Sequence, residues 1–390
     1  MREILQTMTE IAAAPLRYAR RLQSETGKRS VGYVCSYTPE EIIVAAGANP
    51  LRLFGVTGEL TRVDAHLQSY CCSLVRCILE SGLKGDTDCL AGVVFPHTCD
   101  SMQRLSDLWR LNVTTGFHLD AVLPVKLTTE SAREYYFDVL RRFREDMERE
   151  SGVEITPGDL WKAYELMGQV RSLLFRIYAL RCAEPKLLSG DDLLTIVKAS
   201  MIMDRRQAAA MLGEIAAALS RETQEVTAFP GTGKDRKRLL MVGGVCNHPR
   251  LHGLIEAAGG VVVWDDLCTG ARYFQDTADK TQGDTRETAA REGEPLRVIA
   301  ESYLQRAVCP AKHAGLTSRA ERIVSLVRDK GARGVIFLHL KFCDPHAFDY
   351  PYLKTALDRE KIPHLMLEIE DPLPAEGQLR TRLEAFMEMI

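Results

Sequence analysis

Hydrophobic positions along the chain change texture twice. From residue 31 to about 130, short apolar runs alternate with amphipathic stretches. The runs at 31–35 (VGYVC), 51–55 (LRLFG) and 91–95 (AGVVF) predict strands. Between the first two, PEEIIVAAGA predicts a helix opened by Pro39, with Glu40 and Glu41 facing the positive end of its dipole. Another helix is predicted at 101–110. This strand–loop–helix rhythm is the signature of parallel βαβ units. From about 131 to 225 the apolar spacing becomes helical throughout, as in SAREYYFDVLRRFREDMERE, with no strand-like run. The basic, turn-rich FPGTGKDRKR (229–238) predicts a linker. Strand-like runs then return at 238–246, 261–268, 333–343 and 363–370, and GQLRTRLEAFMEMI ends the chain as a helix. Residues 1–30 read as one amphipathic helix. The fold expected is α/β: two Rossmann-like parallel-sheet domains, 31–130 and 229–390, with a helical segment at 131–228 between them.

Composition narrows the function. The chain has 390 residues, 46% hydrophobic and 26% charged, which is ordinary globular usage. A net charge of −3 leaves no basic stripe for nucleic acid. No run reaches the ~18–20 apolar residues of a membrane span, and no signal-peptide core is present, so a soluble cytoplasmic protein is expected. Eleven cysteines, an odd number, argue for thiol or metal chemistry over a disulfide framework.

Cys35, Cys99, Cys246, Cys268 and Cys343 each fall at or just beyond the carboxyl end of a predicted strand. Open parallel sheets bind ligands there, and two facing halves would converge these thiols on one cleft. The chain has no C-x-x-C pair, and Cys71, Cys72 and Cys77 match no standard metal spacing. Local ligand pairs are the habit of structural zinc and ferredoxins. A metal site here must therefore be assembled from distant segments. Cys99 opens a predicted helix, Cys72 has Arg76 one turn away, and Cys343 stands near Lys341, all settings that favour a thiolate. Ser36 and Glu41 suit substrate contact or proton transfer, although helix capping explains them as well. His97, two residues before Cys99, suits proton donation or a structural role equally. His339, inside an apolar run, reads as a satisfied core residue. FPGTGKD fails the phosphate-loop spacing.

In order along the chain, VGYVCSYTPEEIIVAAGANPLRLFG, YCCSLVR, FPHTCDSMQRLSDLW, WDDLCTGARYF, CPAKH, GVIFLHLKFCDPHAFDYPYLK and IPHLMLEIE resemble the 2-hydroxyacyl-CoA dehydratase and benzoyl-CoA reductase family. The resemblance runs from about residue 30 to the end. It implies a [4Fe–4S] cluster on three cysteines: Cys72 from its C-S-x-V-R motif, Cys99 from T-C-D and Cys343 from K-F-C-D-P. Cys71 rivals Cys72, but Ser73, Val75 and Arg76 keep the motif spacing for Cys72. Cys35, Cys268 and Cys309 also lie in family-like motifs and are expected to line the cluster. A related branch carries a double-cubane [8Fe–9S] cluster, which needs about six thiols. Cys77, Cys89 and Cys182 are expected to be structural. The implied activity is radical (ketyl) elimination of water from an (R)-2-hydroxyacyl-CoA, with an electron from an ATP-dependent iron–sulfur activator. A homologous second subunit, or a second copy, is the implied partner. The family also offers aromatic ring reduction on benzoyl-CoA and double-cubane electron transfer.

Overall fold

Each half of the chain builds a four-stranded parallel sheet, and the two share one strand order. The structure is a computed structural model that describes residues 1–55, 58–114, 116–228, 236–274, 294–315, 317–370 and 376–390. In the first sheet β1 (Ser30–Tyr33), β2 (Asn49–Arg52), β3 (Leu90–Phe95) and β4 (Phe117–Asp120) lie in the order β2-β1-β3-β4. In the second, β5 (Lys237–Gly243), β6 (Gly260–Asp266), β7 (Gly334–Leu340) and β8 (His364–Ile369) lie in the order β6-β5-β7-β8. Every pairing is parallel. The order reverses between β1 and β3 and again between β5 and β7, so each sheet has a switch point, the place where parallel sheets open a crevice.

The helices are α1 (Arg2–Ala13), α2 (Pro15–Thr26), α3 (Glu40–Ala45), α4 (Ser73–Leu83), α5 (Asp100–Asn112), α6 (Glu130–Ser151), α7 (Pro157–Ala183), α8 (Gly190–Ser200), α9 (Arg205–Ala228), α10 (Leu251–Ala257), α11 (Pro295–Leu304), α12 (Ser318–Asp329), α13 (Asp344–Arg359) and α14 (Glu376–Met389). The single helix expected over 1–30 is two. Ala14 leaves the helical region at φ −138° and Pro15 starts α2. A proline has no N–H to continue the ladder and crowds the residue before it, so it starts a helix more readily than it extends one. The helical segment is α6 to α9, with α7 opened by a Thr156–Asp159 capping box. Most of the expected linker, 229–235, lies outside the described residues. Among the described residues no helix is long and apolar enough to cross a membrane.

Two elements matter for the site and escape the hydrophobic pattern. The α11 helix comes late in the chain yet packs its Leu296, Ile299, Tyr303 and Leu304 into a core with Val31, Tyr33, Ile42 and α6 of the first half. The short strand β4 reads FHLD, too polar and too brief to register as a strand. It pairs in register with β3, Gly92 opposite Phe117. A Cβ on Gly92 would stand 2.2 Å from the Phe117 ring and 2.4 Å from its carbonyl oxygen. Gly92→Ala must push β4 away, and such overpacking costs about 1–3 kcal/mol. The expected result is a lower urea midpoint at unchanged slope. A midpoint equal to that of the wild type would show that β4 moves aside freely.

Candidate metal centre

Three cysteines head three helices. Cys72 is the N-cap residue of α4, Cys99 of α5 and Cys343 of α13. No side-chain capping bond is closed at any of them. The amides of Val75, Met102 and His346, each three residues on, still favour the respective thiolate. A helix N-terminus carries unclaimed N–H groups and about half a positive charge, so it is a natural seat for a thiolate. Two of the loops that feed these caps are strained. Of the three described non-glycine residues with positive φ, His97 (46°) lies two residues before Cys99 and Phe342 (62°) directly before Cys343. Such strain is held only where surrounding structure over-determines it, and it clusters at functional sites.

The three thiols converge. Cys72 is close enough to Cys99 and to Cys343 for their charges to repel, and so is Cys99 to Cys343. Burial pushes the Cys72 and Cys99 thiols up to about 12, and this repulsion adds to the shift. Cys343 is driven up further by the same two causes. Buried sulfurs that repel one another as anions are stabilised by a cation set among them. A second trio adjoins the first. Burial and then the nearby Cys268 push the Cys309 thiol up to about 12, and Cys35 also lies in range. Cys309 and Cys35 reach Cys99, while Cys309 and Cys268 reach Cys343. Six thiols from six segments thus form one continuous array.

Buried cations flank the array. Arg272 lies beside Cys268 and Cys309, and its Nε and Nη1 have no hydrogen-bond partner. Lys312 lies beside Cys35, Cys309 and Cys99, with Nζ donating to the Leu123 carbonyl at 3.0 Å. Arg306 donates to the Ser36 carbonyl at 2.6 Å and lies over the Tyr303 ring near Glu41. Buried donors without partners are costly, which points to an anionic or sulfur-rich group that would face them. Among the described residues no three His, Cys, Asp or Glu side chains are grouped for a single metal ion. A polynuclear cluster spreads its ligands over several metal atoms and does not need them grouped about one. The Cys72, Cys99 and Cys343 thiols at three helix N-termini fit an iron–sulfur cluster; Arg272 fits as a donor to its outer sulfurs. A pocket of about 380 Å³ opens beside Cys99, lined also by Ser101, Pro310, Asp344 and the exposed Phe348 and Tyr352.

The other predicted residues fall as follows. Cys71 sits at the edge of the array, its strongest neighbours being Arg104, Asp100 and Arg76 rather than other thiols. Cys246, fully buried, has Asp265 and Asp191 as its main charged neighbours. Cys77 packs so closely on Gly55 that a Cβ there would stand 2.4 Å from its own. Cys89 reaches the Leu16 carbonyl at 3.7 Å, and Cys182 accepts from Arg238 at 3.4 Å. All eleven cysteines are free thiols. Ser36 is buried beside Cys35. Glu41 does not face the pocket: Arg171 Nη1 donates to one oxygen at 2.6 Å and Tyr303 to the other at 2.7 Å, all of it buried. Glu40 likewise takes two bonds from Arg205, at 2.6 and 3.1 Å. His97 shares a 2.7 Å hydrogen bond with Asp120, which also accepts from Ser106. Burial opposes the Asp120 charge, yet those two bonds hold its carboxyl below the usual range. His339 departs from expectation, for neither ring nitrogen is hydrogen-bonded.

Sequence reasoning missed His346, Arg272 and Lys312. The Cys343–His346 spacing, C-x-x-H, is the available signal for the first. The other two also have a local signal, Arg272 four residues after Cys268 and Lys312 three after Cys309, the same kind of nearby cation that marks Cys72 and Arg76.

Residues 35–390 match the family model described as 2-hydroxyglutaryl-CoA dehydratase, D-component. The (R)-phenyllactyl-CoA dehydratase beta subunit of Clostridium sporogenes is 25% identical over 381 residues, 98% of this chain and 97% of that protein. A benzoyl-CoA reductase subunit from Thauera aromatica is 26% identical, covering 94% of this chain and 92% of its own. The (R)-2-hydroxyglutaryl-CoA dehydratase subunit beta of Acidaminococcus fermentans is 23% identical over 99% of both.

Proposed function

Since the chain belongs to the 2-hydroxyglutaryl-CoA dehydratase D-component family, we propose that it is the iron–sulfur subunit of a 2-hydroxyacyl-CoA dehydratase-type enzyme, with a [4Fe–4S] cluster on Cys72, Cys99 and Cys343. The observation that carries this reading is the convergence of three helix N-termini, each headed by one of those cysteines. When bound, the cluster would supply a one-electron carrier of low potential. The chain's own residues hold the thiolates, donate amide hydrogen bonds to them and place Arg272 and Lys312 against their charge. The reaction class is elimination of water from an (R)-2-hydroxyacyl-CoA through a ketyl radical on the thioester. The electron is recovered once the 2-hydroxyl and a β-hydrogen have left, so the net step is redox-neutral. The partners proposed are a homologous second subunit, in keeping with relatives named as beta subunits, and an ATP-hydrolysing iron–sulfur activator. A benzoyl-CoA reductase role is the alternative within the family, since a subunit of that enzyme is as similar as the dehydratases.

A second reading draws on the adjoining trio. Cys35, Cys268 and Cys309 extend the array to six thiols, about the number for a double cubane in an electron-transfer protein. One experiment separates these readings. Protein purified without oxygen should be brown, with about four irons per chain for one cubane or about eight for two. With activator, ATP and dithionite, loss of water from an (R)-2-hydroxyacyl-CoA supports the dehydratase, and ring reduction of benzoyl-CoA supports the reductase. Colourless, iron-free protein overturns both cluster readings.

A further inference from the structure

We propose that His346 is a positioning residue for the metal centre: its ring donates a hydrogen bond from Nδ1 to the Cys343 thiolate and raises the reduction potential of the bound cluster. The proposal rests on the cluster reading above. The His346 ring places Nδ1 3.3 Å from Cys343 Sγ. The ring packs over Gly244, where an added Cβ would meet it at 3.4 Å. Its Nε2 is buried with no hydrogen bond of normal geometry. The same residue sets its backbone N–H toward the same sulfur, so one residue offers Cys343 two donors.

The surroundings decide which nitrogen carries the ring proton. The Arg272 and Arg319 guanidinium groups and Asp266 are the charged groups around the ring. A neutral ring has one N–H to give. The rival acceptor is the Gly243 carbonyl beside the ring, one of whose two lone pairs is taken by Arg272 Nη2. Asp266 is shared among Arg319 at 3.3 Å, Arg322 at 3.6 Å and Arg272 at 3.9 Å. With a cluster bound, the acceptor within hydrogen-bond reach of Nδ1 is the Cys343 thiolate. A donor to a cluster thiolate stabilises the more negative, reduced state, and neighbouring hydrogen bonds tune metal sites in this way.

The test uses the full chain, purified without oxygen, in wild-type, His346→Leu and His346→Asn forms. Asparagine places an N–H near the position of Nδ1; leucine has none. Iron content is measured first, because iron-free wild-type protein would sink the cluster reading itself rather than the role of His346. A dithionite titration followed by electron paramagnetic resonance then gives the potential. The leucine variant should keep its iron and favour the oxidised cluster about tenfold more at a fixed potential, a shift of about 59 mV for one electron, with asparagine restoring most of it. An unchanged potential in an iron-loaded leucine variant overturns the proposal. Should that variant fail to hold iron, pulsed resonance on wild-type protein carrying ¹⁵N-histidine decides. A weak ¹⁵N coupling that disappears in His346→Asn supports the hydrogen bond. No such coupling, or one large enough for a directly ligated nitrogen, overturns it.

Discussion

Cys99→Ser protein, purified without oxygen, is expected to lose most of its iron and all measurable turnover, while folding as well as the wild type. The two halves of that statement have separate causes. Serine is among the best N-cap residues, its oxygen accepting from the second or third amide of the helix. Cys99 holds the N-cap of α5 without closing a capping bond, so serine there at least matches the original residue in helix stability. Thermal and urea unfolding of metal-free protein should therefore be unchanged or slightly better. Metal retention should nevertheless collapse, since a buried alcohol stays protonated and is a poor ligand for iron. Loss of a mere supporting partner typically costs about 10–100-fold in metal affinity or activity, and loss of a direct ligand should exceed that. The same outcome is expected for Cys72→Ser and Cys343→Ser, which head α4 and α13 in the same way. Cys71→Ser and Cys246→Ser are the controls. The charged groups nearest Cys71 are Arg104, Asp100 and Arg76, and those nearest Cys246 are acids. Iron retained by Cys99→Ser and lost by Cys71→Ser would reverse the assignment of ligands.

The sequence makes some of this legible and hides the rest, for identifiable reasons. Strands β5, β6 and β7 are seven residues each and carry unbroken apolar runs (LLMVG, GVVVW and GVIFL), so they stand out, and so does the placing of Cys246, Cys268 and Cys343 beyond them. Only one of the three helix caps, Cys99, is readable, because α5 follows a clear strand. The helix after Cys343 is obscured by Pro345 and Pro351, which mark breaks in most sequences but are accommodated in α13. Motif spacing alone prefers Cys72 over Cys71, whereas the fold adds a physical reason: Cys72 lies within reach of Cys99 and Cys343. Glu40 and Glu41 look in the sequence like complements to a helix dipole. They do lie in the first turn of α3, but that six-residue helix has little dipole to complement. Their partners, Arg205 and Arg171, stand more than a hundred residues away, and no local pattern announces a pairing across that distance. Nor does α11 look from its sequence like a helix of the first half, although its Tyr303 and the following Arg306 and Cys309 are what tie that half to the thiol array.

Arg171→Met is expected to destabilise the protein by about 3–5 kcal/mol, because it strands a buried carboxylate. Arg171 and Glu41 are both essentially inaccessible to solvent and meet at 2.6 Å. Burial works against the Glu41 charge, but Arg171 first, then Arg306 and the Tyr303 hydroxyl, outweigh it and hold the carboxyl below its ordinary range. With Arg171 gone, Glu41 must either stay charged without its main partner or take up a proton. The double variant Arg171→Met with Glu41→Gln removes both charges and should recover much of the loss, since apolar replacement of a whole buried pair is often close to neutral. Acid provides an independent check. A carboxyl whose folded pKa lies below its unfolded value of about 4.3 stabilises the fold fully above that value and progressively less as pH falls through the folded pKa. The advantage of wild type over the double variant should thus be greatest near neutrality and shrink below about pH 4.3. The pair also matters beyond stability. Tyr303, whose one hydroxyl hydrogen goes to Glu41, also lies 2.8 Å from the Thr38 carbonyl and accepts from the Glu40 amide at 3.1 Å. Arg306 holds the Ser36 carbonyl in the same stretch. The loop that carries Cys35 toward the other thiols is therefore fastened from α7 and α11 through Glu41. Arg171→Met should loosen that loop, and alkylation of Cys35 in metal-free protein should quicken more than alkylation of Cys72. Equal rates at the two cysteines would reduce the pair to a purely energetic role.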